Sequence, residues 1–421
     1  MYLIILIVFA SAGLAFWYFF LGGTGGSGAQ TSNTNSNQPG FQPFSRTSPG
    51  NGGQAGNNAS GTASSTGQAG GANSIPTLRL LSSTPVGGYG ASTTASTTIV
   101  RWVDRGRGNI YQADYISSNI TTLSNTIVPR IYESGWNSDI SSFIGMLLQD
   151  GDPSPQAIYA QLIPVSAATG TPQGANYTPY ALRGKNLPSN VASYAVSPDG
   201  KQIFLFSIQG GQGIGYISQF SGGTATRIFS TPITQVNVDW PAPDIIAITT
   251  KGSAYQNGYL YFVNPKTGIW KEVAGPLPGL SAKVSHDGKY AVLSATGNNN
   301  NVLTSIYSIA SSTGTDAVIR TMADKCAWGN FYRDVVYCAA PSQPVSGIYP
   351  DDWYQGRLST VDKIWQVDAI SGQVHLISSI IDQSDRVIDA FNLGLDQKDD
   401  YLFFMNKNDL SLWSLDLVRS Q

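Results

Sequence analysis

The sequence predicts an all-β fold, a seven-bladed β-propeller, from three observations. First, an aromatic residue recurs seven times in one short context: Ile110-Tyr111, Ile158-Tyr159, Gly215-Tyr216, Leu260-Tyr261, Ile306-Tyr307, Ile364-Trp365 and Leu412-Trp413. The aromatics are 48, 57, 45, 46, 58 and 48 residues apart, the period of a four-stranded blade. Second, turn signals precede six of the copies, clearest in Val196-Ser197-Pro198-Asp199-Gly200-Lys201 and Val284-Ser285-His286-Asp287-Gly288-Lys289. Third, the two patterns keep phase, with Val196, Trp240, Val284 and Trp328 each 44 residues apart.

The segments before the repeats are of another kind. Leu3 to Leu21 is an uncharged stretch of 19 residues, roughly 28 Å long as a helix, which suits a single membrane span. Residues 1–22 are read as a transmembrane anchor. The rival is a cleaved signal peptide with Ala10-Ser11-Ala12 as its small-residue site, but a basic leading region is missing. Residues 23–75 are dominated by Gly, Ser, Thr, Asn and Gln, with Arg46 their only charge, a composition that cannot offset chain entropy by burial. A disordered tether is expected there, and the propeller is placed at 76–421. Only 12% of the 421 residues are charged and the net charge is −2, which argues against a nucleic-acid partner.

Within the propeller, each aromatic copy reads as a third strand followed by turn residues and a fourth. In six of the blades the first two strands are joined by the Ser-Pro-Asp-Gly-Lys signal or a weaker form of it. Pro85 to Ala91 and Thr98 to Val103 supply those strands for blade one. The last copy leaves blade seven short of an outer strand, and Thr77 to Ser83 is expected to fill the place and close the ring. Six blades, with residues 76–130 arranged otherwise, is the alternative. Cys326 and Cys338, the only cysteines, flank a hairpin where facing positions come within disulfide reach. The bond places the domain in an extracytoplasmic compartment; a buried pair of free thiols is the alternative.

The Ser-Pro-Asp-Gly-Lys turn at 197–201, altered at 285–289, makes the chain resemble the TolB-like, WD-repeat-like propellers over roughly residues 76–421. The Gly-His and Trp-Asp dipeptides of WD repeats themselves are absent. Cys326-Ala327-Trp328, Tyr337-Cys338-Ala339-Ala340-Pro341 and Tyr349-Pro350-Asp351-Asp352-Trp353-Tyr354-Gln355-Gly356 also look similar to membrane-anchored propellers of small-genome bacteria. The resemblance implies a fold and a setting, and no activity.

Function is sought on the face that carries the links between second and third strands, because these are the long, polar ones. Pro341 to Thr360 exceeds the usual loop length and combines Asp351, Asp352, Trp353, Tyr354 and Arg357, a mixture enriched in binding hot spots. Asp104, Arg105, Arg107 and Tyr255 are expected on the same face. A lid packing Trp353 and Tyr354 onto the disc is the bland reading of the long loop. Asp150 and Asp152 around Gly151, or Asp351 beside Asp352, are weak calcium candidates, since neither pair follows the full loop pattern. The two histidines, His286 and His375, are too few for a His-rich metal centre, and no nucleophile elbow, phosphate loop or Cys-x-x-Cys occurs. No catalytic residue or cofactor is assigned. The expected function is a binding or scaffold module for a protein or an envelope glycan. The alternatives are an envelope carbohydrate-active hydrolase or lyase using paired carboxylates, and a purely structural surface spacer.

Overall fold

The structure, a computed structural model, describes residues 77–95, 97–115, 119–149, 155–165 and 179–420. The expected span at 3–21, the linker at 23–75, and Asp150 and Asp152 lie outside the described residues. Among the described residues, seven antiparallel sheets of four strands each follow one another along the chain. Blade one is Val86–Thr93, Thr98–Asp104, Ile110–Asp114 and Ile120–Ser124; blade two is Ile131–Trp136, Ser142–Leu147, Gln156–Pro164 and Tyr180–Asn186. Blade three is Val191–Val196, Gln202–Gln209, Gln212–Gln219 and Thr226–Thr231; blade four is Val236–Ala242, Ile245–Thr250, Asn257–Val263 and Trp270–Pro278. Blade five is Ser281–Val284, Tyr290–Thr296, Val302–Ser308 and Thr313–Asp316; blade six is Cys326–Trp328, Val335–Pro341, Asp362–Asp368 and Val374–Ser378. Blade seven takes Ala390–Leu395, Tyr401–Asn406 and Leu412–Asp416 from the C-terminal side of blade six and Leu78–Ser82 from the N-terminal side of blade one. The six-blade alternative is overturned. Neighbouring blades meet through their first strands, which are therefore the innermost. No helix among the described residues is long and apolar enough to cross a membrane.

Closure is a strand pairing across the whole chain. Leu78 faces Leu415, Arg79 faces Ser414 and Leu80 faces Trp413, so the outer edge that blade seven lacks is supplied from Leu78–Ser82. In blade six Cys326 lies opposite Cys338 and the two are disulfide-bonded, with Cα atoms 4.1 Å apart.

The hairpin motif works as a side-chain-capped turn. Ser197 Oγ donates to Asp199 Oδ1 at 2.7 Å, which also accepts the Lys201 N–H at 3.1 Å, and the Gln202 N–H donates back to Ser197 Oγ at 2.8 Å. The Ser197 hydroxyl first, then the Lys201 N–H, hold the Asp199 carboxyl below its ordinary pKa. Gly200 has φ +70°, and a Cβ there would meet Ser138 Oγ at 2.6 Å. Ser285, Asp287 and Tyr290 repeat the pattern at 2.7 and 3.0 Å. The turn is satisfied internally.

Hydrophobic clusters lie between successive blades, and they show what the repeated pair does. Residues adjacent in a strand point to opposite faces, so each pair is divided between two interfaces. Ile110 packs forward against blade two while Tyr111 packs backward against blade seven. Ile306 with Tyr307, Ile364 with Trp365 and Leu412 with Trp413 divide in the same sense. Blade two does not. There Tyr159 packs forward with Val191 and Ile203, and Ile158 backward with Val103 and Ile110. Aligning the aromatics put this copy one residue out of register, a slip that exchanges the two faces of a strand.

Candidate functional site

In an antiparallel meander the connections alternate between the two ends of the strands. The links from second to third strand therefore share one face with the links between blades. Asp104, Arg105 and Arg107 of blade one, Tyr255 of blade four and the 342–361 connection of blade six all belong to that face.

The blade-six connection is tied to three other blades. Asp351 opens a one-turn helix, α1 (Asp351–Tyr354), and its carboxylate accepts Ser253 Oγ at 2.9 Å and the Ala254 N–H at 2.7 Å from blade four. From blade five, Thr296 Oγ1 donates to the Tyr349 carbonyl at 2.6 Å. Toward blade seven, Trp353 Nε1 donates to both oxygens of Asp389 at 3.0 and 3.1 Å, and Lys407 Nζ lies 4.9 Å from the indole centroid. Trp353 is 4% exposed and packs with Val302, Met322, Tyr349 and Leu358. Asp352 caps the loop itself: the Ile348 N–H and Arg357 hold its carboxyl below the ordinary value. Tyr354 Oη donates to Asp324 at 3.0 Å. Asp351, Asp352 and Trp353 thus support the loop, while Tyr354 and Arg357 remain open to solvent. Tyr255, 74% exposed, stands beside the Ala254 that Asp351 holds.

Beneath this loop is a cluster that sequence reasoning missed. The Lys325 ammonium donates to Asp389 Oδ1 at 2.6 Å, Asp362 Oδ2 at 2.8 Å and Thr360 Oγ1 at 2.6 Å, and all four residues are buried. Asp389 collects further bonds from Trp353 and from the Thr360 N–H and hydroxyl. Burial opposes its charge, but Lys325 and these donors outweigh burial and hold its pKa down. Asp362 has fewer partners and its Oδ1 has none, so burial dominates and raises its pKa against the pull of Lys325. The three charged residues come from separate elements, each in an ordinary context, and no motif marks them.

A second feature gathers three of the sequence candidates. Asp104, Arg105, Gly106 and Arg107, with Thr84, Pro85 and Tyr111, line a cavity of about 550 Å³. Asp104 is engaged by the turn itself, accepting the Arg107 N–H at 2.7 Å and the Thr84 hydroxyl at 3.3 Å. Arg105 gives one guanidinium N–H to the Tyr132 carbonyl at 3.3 Å. Arg107 is exposed, and Tyr111 stacks on Trp102 with centroids 5.9 Å apart.

No protein-family model matches the sequence, and no curated protein matches it either. Solved structures do. An oligogalacturonate lyase from Vibrio parahaemolyticus is 9% identical, covering 81% of this chain and 92% of that one at a TM-score of 0.50. The β-propeller domain of the Trilobed protease from Pyrococcus furiosus is 11% identical, covering 77% and 94% at 0.48. TolB from Acinetobacter baumannii is 13% identical, covering 74% of this chain at 0.39, and the match spans 60% of the TolB chain. At these identities the likeness is one of fold, a scaffold shared by enzymes and non-enzymes alike.

Proposed function

We propose that the chain is a membrane-anchored, extracytoplasmic binding module of TolB-like, WD-repeat-like build, which takes a protein or envelope-glycan partner on its long-loop face. The observation that carries the reading is the blade-six connection. It is fixed to blades four, five and seven by Asp351, Tyr349 and Trp353, so the face is ordered before any partner arrives. The uncharged stretch at 3–21, the nearly uncharged 23–75 segment and the Cys326–Cys338 bond support the anchored, oxidising setting. A photo-crosslinking residue placed at Tyr255, and separately at Ile269 on the opposite face of the same blade, tests this in membranes bearing the full chain. Discrete adducts from position 255 and none from 269 are expected. Adducts from 269 alone overturn the assignment of the partner to the long-loop face, and adducts from neither favour a spacer.

One observation favours a second reading, a carbohydrate-active enzyme: Asp362 and Asp389 share one cation on the long-loop side, with pKa values displaced in opposite directions. Both are sealed under the loop, so this reading requires the loop to lift. Polysaccharide cleavage by the full chain that Asp362→Asn abolishes while the melting temperature holds is its test.

A further inference from the structure

We propose that the cavity bounded by Pro85, Arg105, Arg107 and Tyr111 binds a carboxylate-bearing sugar unit of an acidic glycan. The inference rests on the binding reading above and names a ligand class for one part of that face.

Three features point to it. The local charge is positive although the chain's net charge is −2. Among the described residues Asp104 is the one carboxylate lining the cavity, and its oxygens accept the Arg107 N–H at 2.7 Å and the Thr84 hydroxyl at 3.3 Å. The two guanidinium groups outnumber this carboxylate and leave the cavity lining with a net charge of +1. The cations are both arginines, whose planar fork matches a carboxylate through two parallel hydrogen bonds. Arg105 is anchored at one N–H by the Tyr132 carbonyl and keeps its others, while no described side chain pairs with the Arg107 guanidinium. Finally, the remaining walls are Thr84, Pro85, Gly106 and Tyr111, and the Pro85 ring and the Tyr111 ring, braced by Trp102, offer apolar surface that suits the C–H face of a sugar ring. The volume of about 550 Å³ lies within the range of small-ligand sites.

The geometry is held by the backbone and not by the two guanidinium groups. The Arg105 N–H donates to the Pro85 carbonyl at 2.9 Å, and the Gly108 N–H to the Asp104 carbonyl at 2.8 Å. Gly108 has φ +78°, and a Cβ there would meet the Val128 carbonyl at 2.3 Å. Replacing the Arg107 side chain therefore leaves the turn in place.

Titration calorimetry of the full chain with a glucuronic-acid oligosaccharide is the test, with a neutral oligosaccharide of the same length, a glutamate-rich peptide and inorganic phosphate run alongside. Saturable binding of the acidic oligosaccharide is expected, with weakening by salt and by about tenfold in Arg107→Gln, the loss of one charge-assisted contact. The melting temperature of Arg107→Gln should stay unchanged. The proposal is overturned by no binding, by equal binding of the neutral sugar, by insensitivity to Arg107→Gln, or by tighter binding of peptide or phosphate. Adducts at position 255 without uronate binding overturn this proposal alone and leave the binding reading intact.

Discussion

Lys325 and Asp389 form an ion pair of 2.6 Å that solvent does not reach, and Asp362 closes on the same ammonium at 2.8 Å. A buried pair of this kind is weak evidence of net stabilisation, because desolvation offsets the attraction, but breaking it exposes that cost in full. Lys325→Met would leave two carboxylates in an apolar setting. A loss of about 3–5 kcal/mol in urea unfolding is expected, and adding Asp362→Asn and Asp389→Asn to the same chain should recover part of it. If the single variant unfolds like the native chain, the cluster is not what holds the loop base.

The same pair predicts two opposite pH slopes. Asp389 titrates below an unfolded aspartate, near 3.9. Its contribution is present above that pH and is lost as pH falls through the folded value. Asp362 is displaced upward, so its contribution is present below about 3.9 and is lost as pH rises through its folded value. Urea midpoints measured against pH should fall less steeply below about pH 4 in Asp389→Asn than in the native chain. The Asp362→Asn chain should lose the weakening just above pH 4. Native slopes in both variants would assign the titration elsewhere.

Trp353 sits at the junction of the loop's small core and the buried charges, through Leu358 and Tyr349 on one side and Asp389 on the other. Trp353→Ala should detach the 342–361 connection without unfolding the blades. The expected sign is faster hydrogen exchange across 342–361 with blades one to three unchanged. Trp353→Phe retains the ring contacts and removes the indole donor, so it should cost less, about 1.5–3 kcal/mol. Equal exchange in all three chains would mean that Asp351 and Tyr349 suffice.

How far the sequence carried the reading depends on how local each feature is. The Ser197 to Lys201 turn closes on itself through Ser197 and Asp199, so five residues were enough to recognise it. The aromatic repeat located every third strand but not every face, since Tyr159 stands one residue out of phase with Tyr111. Pro341 to Thr360 was legible as too long for a simple turn. Its destination was not, because Ser253, Thr296 and Asp389 reach it from three other blades. Lys325, Asp362 and Asp389 were invisible for the same reason, each being unremarked in its own neighbourhood.

Glycine gives a controlled comparison in the turns. Gly200 and Gly210 both have positive φ, +70° and +57°, but a Cβ at Gly200 would meet Ser138 at 2.6 Å whereas one at Gly210 meets nothing within 4 Å. Gly210→Ala should cost about 1–2 kcal/mol from the backbone alone. Gly200→Ala should cost more, because Ser138 belongs to blade two and has to shift. Equal melting temperatures would show that the blade-two turn gives way freely.

Ring closure predicts a kinetic effect. Leu78–Ser82 pairs with Leu412–Asp416 at the far end of the chain, and Leu81, 2% exposed, packs with Val86, Trp102 and Phe403 where blades seven and one meet. Contacts between residues this distant carry a large loop-closure cost until the intervening blades have formed. They should therefore be absent from the folding transition state. Leu81→Ala should lower stability by about 2–5 kcal/mol. Nearly all of that should appear as faster unfolding, with the refolding rate unchanged. Stopped-flow measurements across a urea series separate the two limbs. A slowed refolding limb would mean that the ends of the chain meet early, and that the blades assemble onto a ring already closed.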